Sequence, residues 1–201
     1  ILLTLLLSLS VVGQDTASTI IPANKLLGVD QAYYKVRTLS TNTLKRRGYK
    51  KVIRKAKAVI KKFPSSDDRF KLINIIFKCQ QGLLLINNTK DNREDVFATA
   101  RELAKAPPAY SKIKLQADLL LLQLELASAK MTAEVKVKAI RELAQGYLES
   151  PAEADCLMYL ITLAKDLENA ELFNEFQVTL TTRFANNPKV GGFLREKLGV
   201  H

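Results

Sequence analysis

RELAKAPPAYSKIKLQADLLLLQLELASA, residues 101–129, holds the end of one helix, a Pro107-Pro108 corner and a second helix that is apolar on two sides. In that second helix, 113–129, one stripe runs Ile113, Ala117, Leu120, Leu124, Ala127. Another runs Leu115, Leu119, Leu122, Leu126, Ala129. Residues spaced three and four apart share a helix face, so two stripes mean two apolar faces, and each needs a cover. The helix is expected in the middle of a stack, with helical hairpins before and after it.

The corners on either side support this. Pro64, Pro108, Pro151 and Pro188 each follow one amphipathic segment and open another, at spacings of 44, 43 and 37 residues. A residue before proline is pushed out of the helical region, so such positions separate helices. Helices are predicted over 49–63, 68–86, 92–106, 113–129, 133–149, 151–167 and 169–185, with a short last one ending near Leu198-Gly199. Start signals fit these limits: Asp91-x-x-Glu94 has the form of a capping box, and Ser150-Pro151-Ala152-Glu153 combines a capping serine with proline at the first turn. A regular period of this size is that of a helix-hairpin repeat, in which each hairpin buries too little alone and stacking supplies the core. The expected fold class is all-α, an array of about four antiparallel helical hairpins.

The front of the chain reads differently. Residues 1–12, ILLTLLLSLSVV, are too few to span a bilayer of ~30 Å, which takes roughly 20 residues. They suit the apolar core of a secretory signal peptide, with Val11 and Gly13 placed like the small residues of a cleavage site. Export is therefore expected, with 1–13 as the signal and 14–47 as a polar linker plus N-terminal helix. That helix is read over 30–46, capped by Asp30 and ended by Gly48, and 48–201 is read as the repeat domain.

The net charge of +11 is concentrated in one place. Residues 31–66 carry twelve Lys or Arg and no Asp or Glu, leaving 19 basic and 20 acidic residues for the rest of the chain. Arg46, Arg47, Lys50, Lys51, Arg54 and Lys55 are expected to form an exposed positive patch. Such a patch suits an acidic protein or an anionic membrane surface. Nucleic acid fits poorly, because export removes the chain from it and only Tyr33, Tyr34 and Tyr49 are near enough in sequence to stack bases.

Phe63-Pro64-Ser65-Ser66, followed by an apolar helix, resembles the aromatic-Pro-x-Ser corner of tetratricopeptide-like proteins of the bacterial cell envelope. Phe184-Ala185-Asn186-Asn187-Pro188 is similar, and the resemblance covers roughly residues 49–198. The resemblance implies a solenoid that binds a protein or peptide partner. More faintly, the signal peptide, the helical repeats and the terminal Phe193-Leu194-Arg195-Glu196-Lys197-Leu198-Gly199-Val200 resemble the N-terminal half of exported redoxin proteins. That resemblance implies a helical module of a larger thiol–disulfide oxidoreductase, whose thioredoxin-fold domain and C-x-x-C are not in this chain.

The residues themselves suggest no catalysis, cofactor, metal or small-molecule substrate. The one histidine is His201, no Cys-x-x-Cys occurs, and Gly191-Gly192 lacks the Lys-Ser/Thr of a phosphate loop. Asp67-Asp68 and Glu94-Asp95 are paired carboxylates, but both are expected in first turns, where they oppose the helix dipole. Cys79 and Cys156 fall on apolar helices two hairpin steps apart. Two steps at ~8–10 Å each exceed the ~7 Å limit of a disulfide, so two buried thiols are expected.

Overall fold

The structure, a computed structural model, describes residues 19–129 and 131–199. Residues 1–13, read as a signal peptide, lie outside them. Nine α-helices account for the fold, and no strand occurs among the described residues. They are α1 (Ala23–Arg37), α2 (Asn42–Lys62), α3 (Arg69–Ile86), α4 (Lys90–Leu103), α5 (Ser111–Leu126), α6 (Ala133–Gly146), α7 (Glu153–Asp166), α8 (Ala170–Arg183) and α9 (Pro188–Phe193). A short 3-10 turn, Pro108–Tyr110, leads into α5, and a π-helical turn, Leu194–Leu198, follows α9. From α1 to α8 each helix packs on its successor, and α1 also reaches α3.

Three cores follow each other along the chain. Val29 and Val36 of α1, Val52, Ala56 and Val59 of α2, and Leu72, Ile76 and Cys79 of α3 form the first. Phe70, Ile73 and Phe77 of α3 meet Val96, Ala100 and Leu103 of α4 and Ala117 of α5 in the second. Leu115, Leu122 and Leu126 of α5 join Ile140, Leu160, Ile161, Leu172, Phe176 and Val190 in the third. Two helices, α3 and α5, are therefore covered on both sides. The stripes of α5 divide as their spacing requires: Ile113, Ala117 and Leu120 turn to the second core, and Leu115, Leu119, Leu122 and Leu126 to the third. Both stripes outrun their covers, since Leu124, Ala127 and Ala129 are exposed.

The front of the chain differs from its sequence reading. Part of the stretch taken as linker is α1, which begins behind Pro22. The helix read over 30–46 is in fact two helices, α1 and α2, parted at Thr38–Thr41. Thr41 caps α2 by accepting a hydrogen bond from the Leu44 amide at 3.2 Å. Gly48 ends nothing; it sits inside α2, and the division placed between residues 47 and 48 falls within that helix. Its role is close approach: a Cβ there would stand 2.7 Å from Val36 Cγ2 on α1. Gly82 does the same for α3 on α2, where a Cβ would stand 2.6 Å from Tyr49 Cε2.

Two other start signals are used differently. Thr89, not Asp91, caps α4, its hydroxyl accepting from the Asn92 amide at 3.2 Å. A hydroxyl directly before the helix reaches an orphan amide without displacing a helical residue. At α7 the Ser150 hydroxyl accepts from the Ala152 amide, and Glu153 reaches back to the Glu149 amide rather than to that of Ser150. The helix accordingly begins at Glu153 instead of Pro151.

Candidate functional site

Ten of the 21 residues of α2 are Lys or Arg, and none is acidic. Its apolar residues Tyr49, Val52, Ala56 and Val59 recur at three- and four-residue steps and are buried. At ~100° per residue they take one side of the helix and leave roughly half its circumference to the cations. Arg46, Arg47, Lys50, Lys51, Arg54 and Lys55 are all exposed. None of the ten cations is in an ion pair among the described residues, although nine Lys or Arg elsewhere are.

The six divide by register. Arg46, Lys50 and Arg54, four residues apart, line a groove of about 690 Å³ between α2 and α4. Ile53 and Leu83 supply its apolar part, and Asp91, Asn92 and Asp95 of α4 also line it. Arg47, Lys51 and Lys55 lie outside that groove. Lys55 has a structural task, donating from Nζ to the Gly28 carbonyl of α1 at 2.6 Å.

This face works against the stability of its own helix. Like charges four residues apart each cost ~0.2–0.5 kcal/mol. Lys45, Arg46 and Arg47 lie near the helix N-terminus, where the macrodipole disfavours cations. Only Lys61 and Lys62, in the last turn, are well placed for the dipole. Apart from the Lys55 link to Gly28, no hydrogen bond or ion pair among the described residues offsets this cost within the fold.

No family model, curated protein or solved structure matches this chain. The candidate site therefore rests on its own geometry.

Other clusters are explained by structure. Asp68 is held below the usual carboxylate range, first by its hydrogen bond to Lys71 and also by that from Tyr110. Lys71 Nζ lies 2.7 Å from its Oδ1, and the Tyr110 hydroxyl donates to it at 3.1 Å, tying α3 to the start of α5. Asp68 thus serves packing rather than acid–base chemistry. Arg141 of α6 bridges to Glu171 and Glu175 of α8, both at 2.7 Å, across a groove of about 880 Å³ between those helices. Among the described residues no cluster of His, Cys, Asp or Glu could hold a metal ion, and no helix is long and apolar enough to cross a membrane.

The two cysteines are free thiols, each fully buried, in different cores. Burial pushes both thiols up to about 12. Because the folded thiols resist ionisation while unfolded ones release their protons near pH 8.5, stability is full below that pH and declines as it rises toward 12. Urea midpoints are expected to fall steadily from pH 8.5 to 11, with a shallower fall in a Cys79→Ala/Cys156→Ala variant. Parallel profiles for the two proteins would contradict this.

Sequence reading missed three buried polar atoms with no hydrogen-bond partner: Asn74 Oδ1, Gln80 Oε1 and Ser111 Oγ. An unpaired buried polar group costs ~1–3 kcal/mol. The one sign of the first was an asparagine inside the apolar run Leu72-Ile73-Asn74-Ile75-Ile76-Phe77.

Proposed function

We propose that this chain is a non-catalytic binding module of the bacterial cell envelope, reached by export. Its helices form about four tetratricopeptide-like hairpins, and the basic face of α2 receives an acidic segment of a partner protein. The observation that carries this reading is the set of ten cations on one helix, nine of them exposed and none in an ion pair among the described residues. A surface that weakens its own helix is expected to recover the cost when an opposite charge docks on it. The groove beside Arg46, Lys50 and Arg54 gives such a segment a track with apolar contact at Ile53 and Leu83.

The test uses the variant Lys50→Gln/Lys51→Gln/Arg54→Gln, which spares Lys55 and its link to Gly28. An acetylated octaglutamate peptide serves as probe at low ionic strength. Loss of three exposed charges at ~0.5–1 kcal/mol each predicts binding roughly ten- to a hundredfold weaker. The melting temperature should hold or rise slightly, because like-charge pairs are removed. Octaglutamate that fails to bind the parent, or binds the variant equally, rejects the reading. Binding to phosphatidylglycerol vesicles without binding to the peptide transfers the face to a membrane surface.

A further inference from the structure

We propose that the groove between α2 and α4 takes an extended segment of a partner protein in which acidic and basic residues alternate. The inference rests on the basic-face reading and names what that face receives. The α2 wall carries Arg46, Lys50 and Arg54, and the α4 wall carries Asp91 and Asp95. All five are exposed. None of them is in an ion pair among the described residues, with one another or with any other group. Two rows of opposite charge thus line one groove of about 690 Å³ without meeting across it.

Each row is costly by itself. Arg46, Lys50 and Arg54 repel one another at four-residue steps, and so do Asp91 and Asp95. Asp91, in the first turn of α4, complements the dipole of that helix. Asp95 stands a turn further on and has no such task. A purely acidic segment, a nucleic acid or an anionic lipid surface would answer the cations but meet Asp91 and Asp95 as like charges. From Arg46 to Arg54 the cation row runs eight residue steps of ~1.5 Å, roughly 12 Å, too long for one small zwitterion. A chain that presents both signs of charge over that length is a polypeptide.

Pitch and count choose its conformation. Within each row the charges are four residues apart on a helix, a step of ~6.0 Å. An extended chain turns alternate side chains to opposite sides and repeats on each side every ~6.6 Å. A segment in the order acid-base-acid-base-acid therefore sets its acids against Arg46, Lys50 and Arg54 and its bases against Asp91 and Asp95. Ile53 and Leu83 give the same groove an apolar part, where ion pairs are less screened than on open surface.

The experiment titrates the full chain, labelled with ¹⁵N, at low ionic strength with two peptides of one composition. They are acetyl-Glu-Lys-Glu-Lys-Glu-amide and acetyl-Glu-Glu-Glu-Lys-Lys-amide. The alternating peptide should give saturable shifts at residues 46–54 and 91–95, and should bind about fivefold more tightly than the block peptide. Asp91→Asn/Asp95→Asn should erase that preference while binding octaglutamate at least as tightly as the parent does. Asp95→Asn alone, which keeps Asp91 at the helix start, serves if the double variant folds poorly, and should reduce the preference to about twofold. Equal binding of the two peptides by the parent, or a preference unchanged in the variants, overturns the proposal. If octaglutamate then binds the parent and not Lys50→Gln/Lys51→Gln/Arg54→Gln, the basic-face reading stands and the alternation alone falls. A parent that binds neither the pentapeptides nor octaglutamate overturns both. Binding to phosphatidylethanolamine vesicles with neither pentapeptide bound overturns the proposal in favour of a lipid surface.

Discussion

Replacing Phe77 with alanine is expected to lower unfolding free energy by ~3–5 kcal/mol, the range for a fully buried phenylalanine. Phe77 is 0% exposed and stands in the second core among Phe70, Ile73, Val96, Ala100, Leu103 and Ala117. The buried members contributed by α4 and α5 are Val96, Ala100, Leu103 and Ala117, none of them a ring that could replace the one lost. The position also matters for the chain as a whole. The opposite face of α3 builds the first core through Leu72, Ile75, Ile76, Cys79 and Leu83. A cavity at Phe77 therefore weakens the helix that joins α1 and α2 to everything after them. The measurement is urea unfolding followed by circular dichroism, with Phe77→Leu as a volume-sparing control at a loss of ~1 kcal/mol. A loss below 1.5 kcal/mol for Phe77→Ala, taken as about the lower bound of a packed site, would mean that the second core is loose.

The central helices were legible because hydrophobic period is a strong local signal. The two stripes of α5 told which residues would face each neighbour, and the structure assigns Ile113, Ala117 and Leu120 to one core and Leu115, Leu119 and Leu122 to the other. The same two-sidedness in α3 was harder to see. Its run of Leu, Ile and Phe is nearly continuous, and a run apolar all round says only that the helix is buried. The front of the chain misled because Gly48 has two physical meanings. Glycine permits left-handed termini, and it also permits close contact of helices. The contact that decides between them, Val36 on Gly48, is tertiary and leaves no mark in the local sequence.

The basic face was legible as charge density alone. Its register was only partly so: the four-residue spacing of Arg46, Lys50 and Arg54 was on the page, but the groove beside them needs α4 in place. Asn74 carried a weak sign, one polar residue in an apolar run. Its lack of a partner depends on α1 and α5, which lie 37 or more residues away at their nearer ends. Features of this kind become visible only when distant helices close on each other.

Replacing Arg183 with methionine is expected to cost about 3 kcal/mol, the low end for breaking a buried ion pair. Glu153 opens α7 with its side chain 5% exposed, while Arg183, at the end of α8, is 38% exposed. The guanidinium meets the carboxylate with both arms of its fork. Arg183 Nε lies 2.9 Å from Oε1, and Arg183 Nη2 donates to Oε2 at 3.0 Å. Oε2 also accepts from the Glu149 amide at 2.6 Å, where Glu149 holds a left-handed φ of 61°. The carboxylate thus fixes the turn from α6 into α7 and the end of α8 together. Removing the arginine leaves a charge buried with one amide donor, and that stranded charge dominates the loss. Partial exposure of Arg183 lets water repay some of it, which sets the low end. A double-mutant cycle separates the pair from the packing of its carbon stems. Glu153→Leu/Arg183→Met should be at least 1 kcal/mol more stable than Arg183→Met alone, because no charge is left behind. A double variant no more stable than the single one would show that Arg183 acts through its apolar stem, and that the fork on Glu153 adds nothing to the junction of α7 and α8.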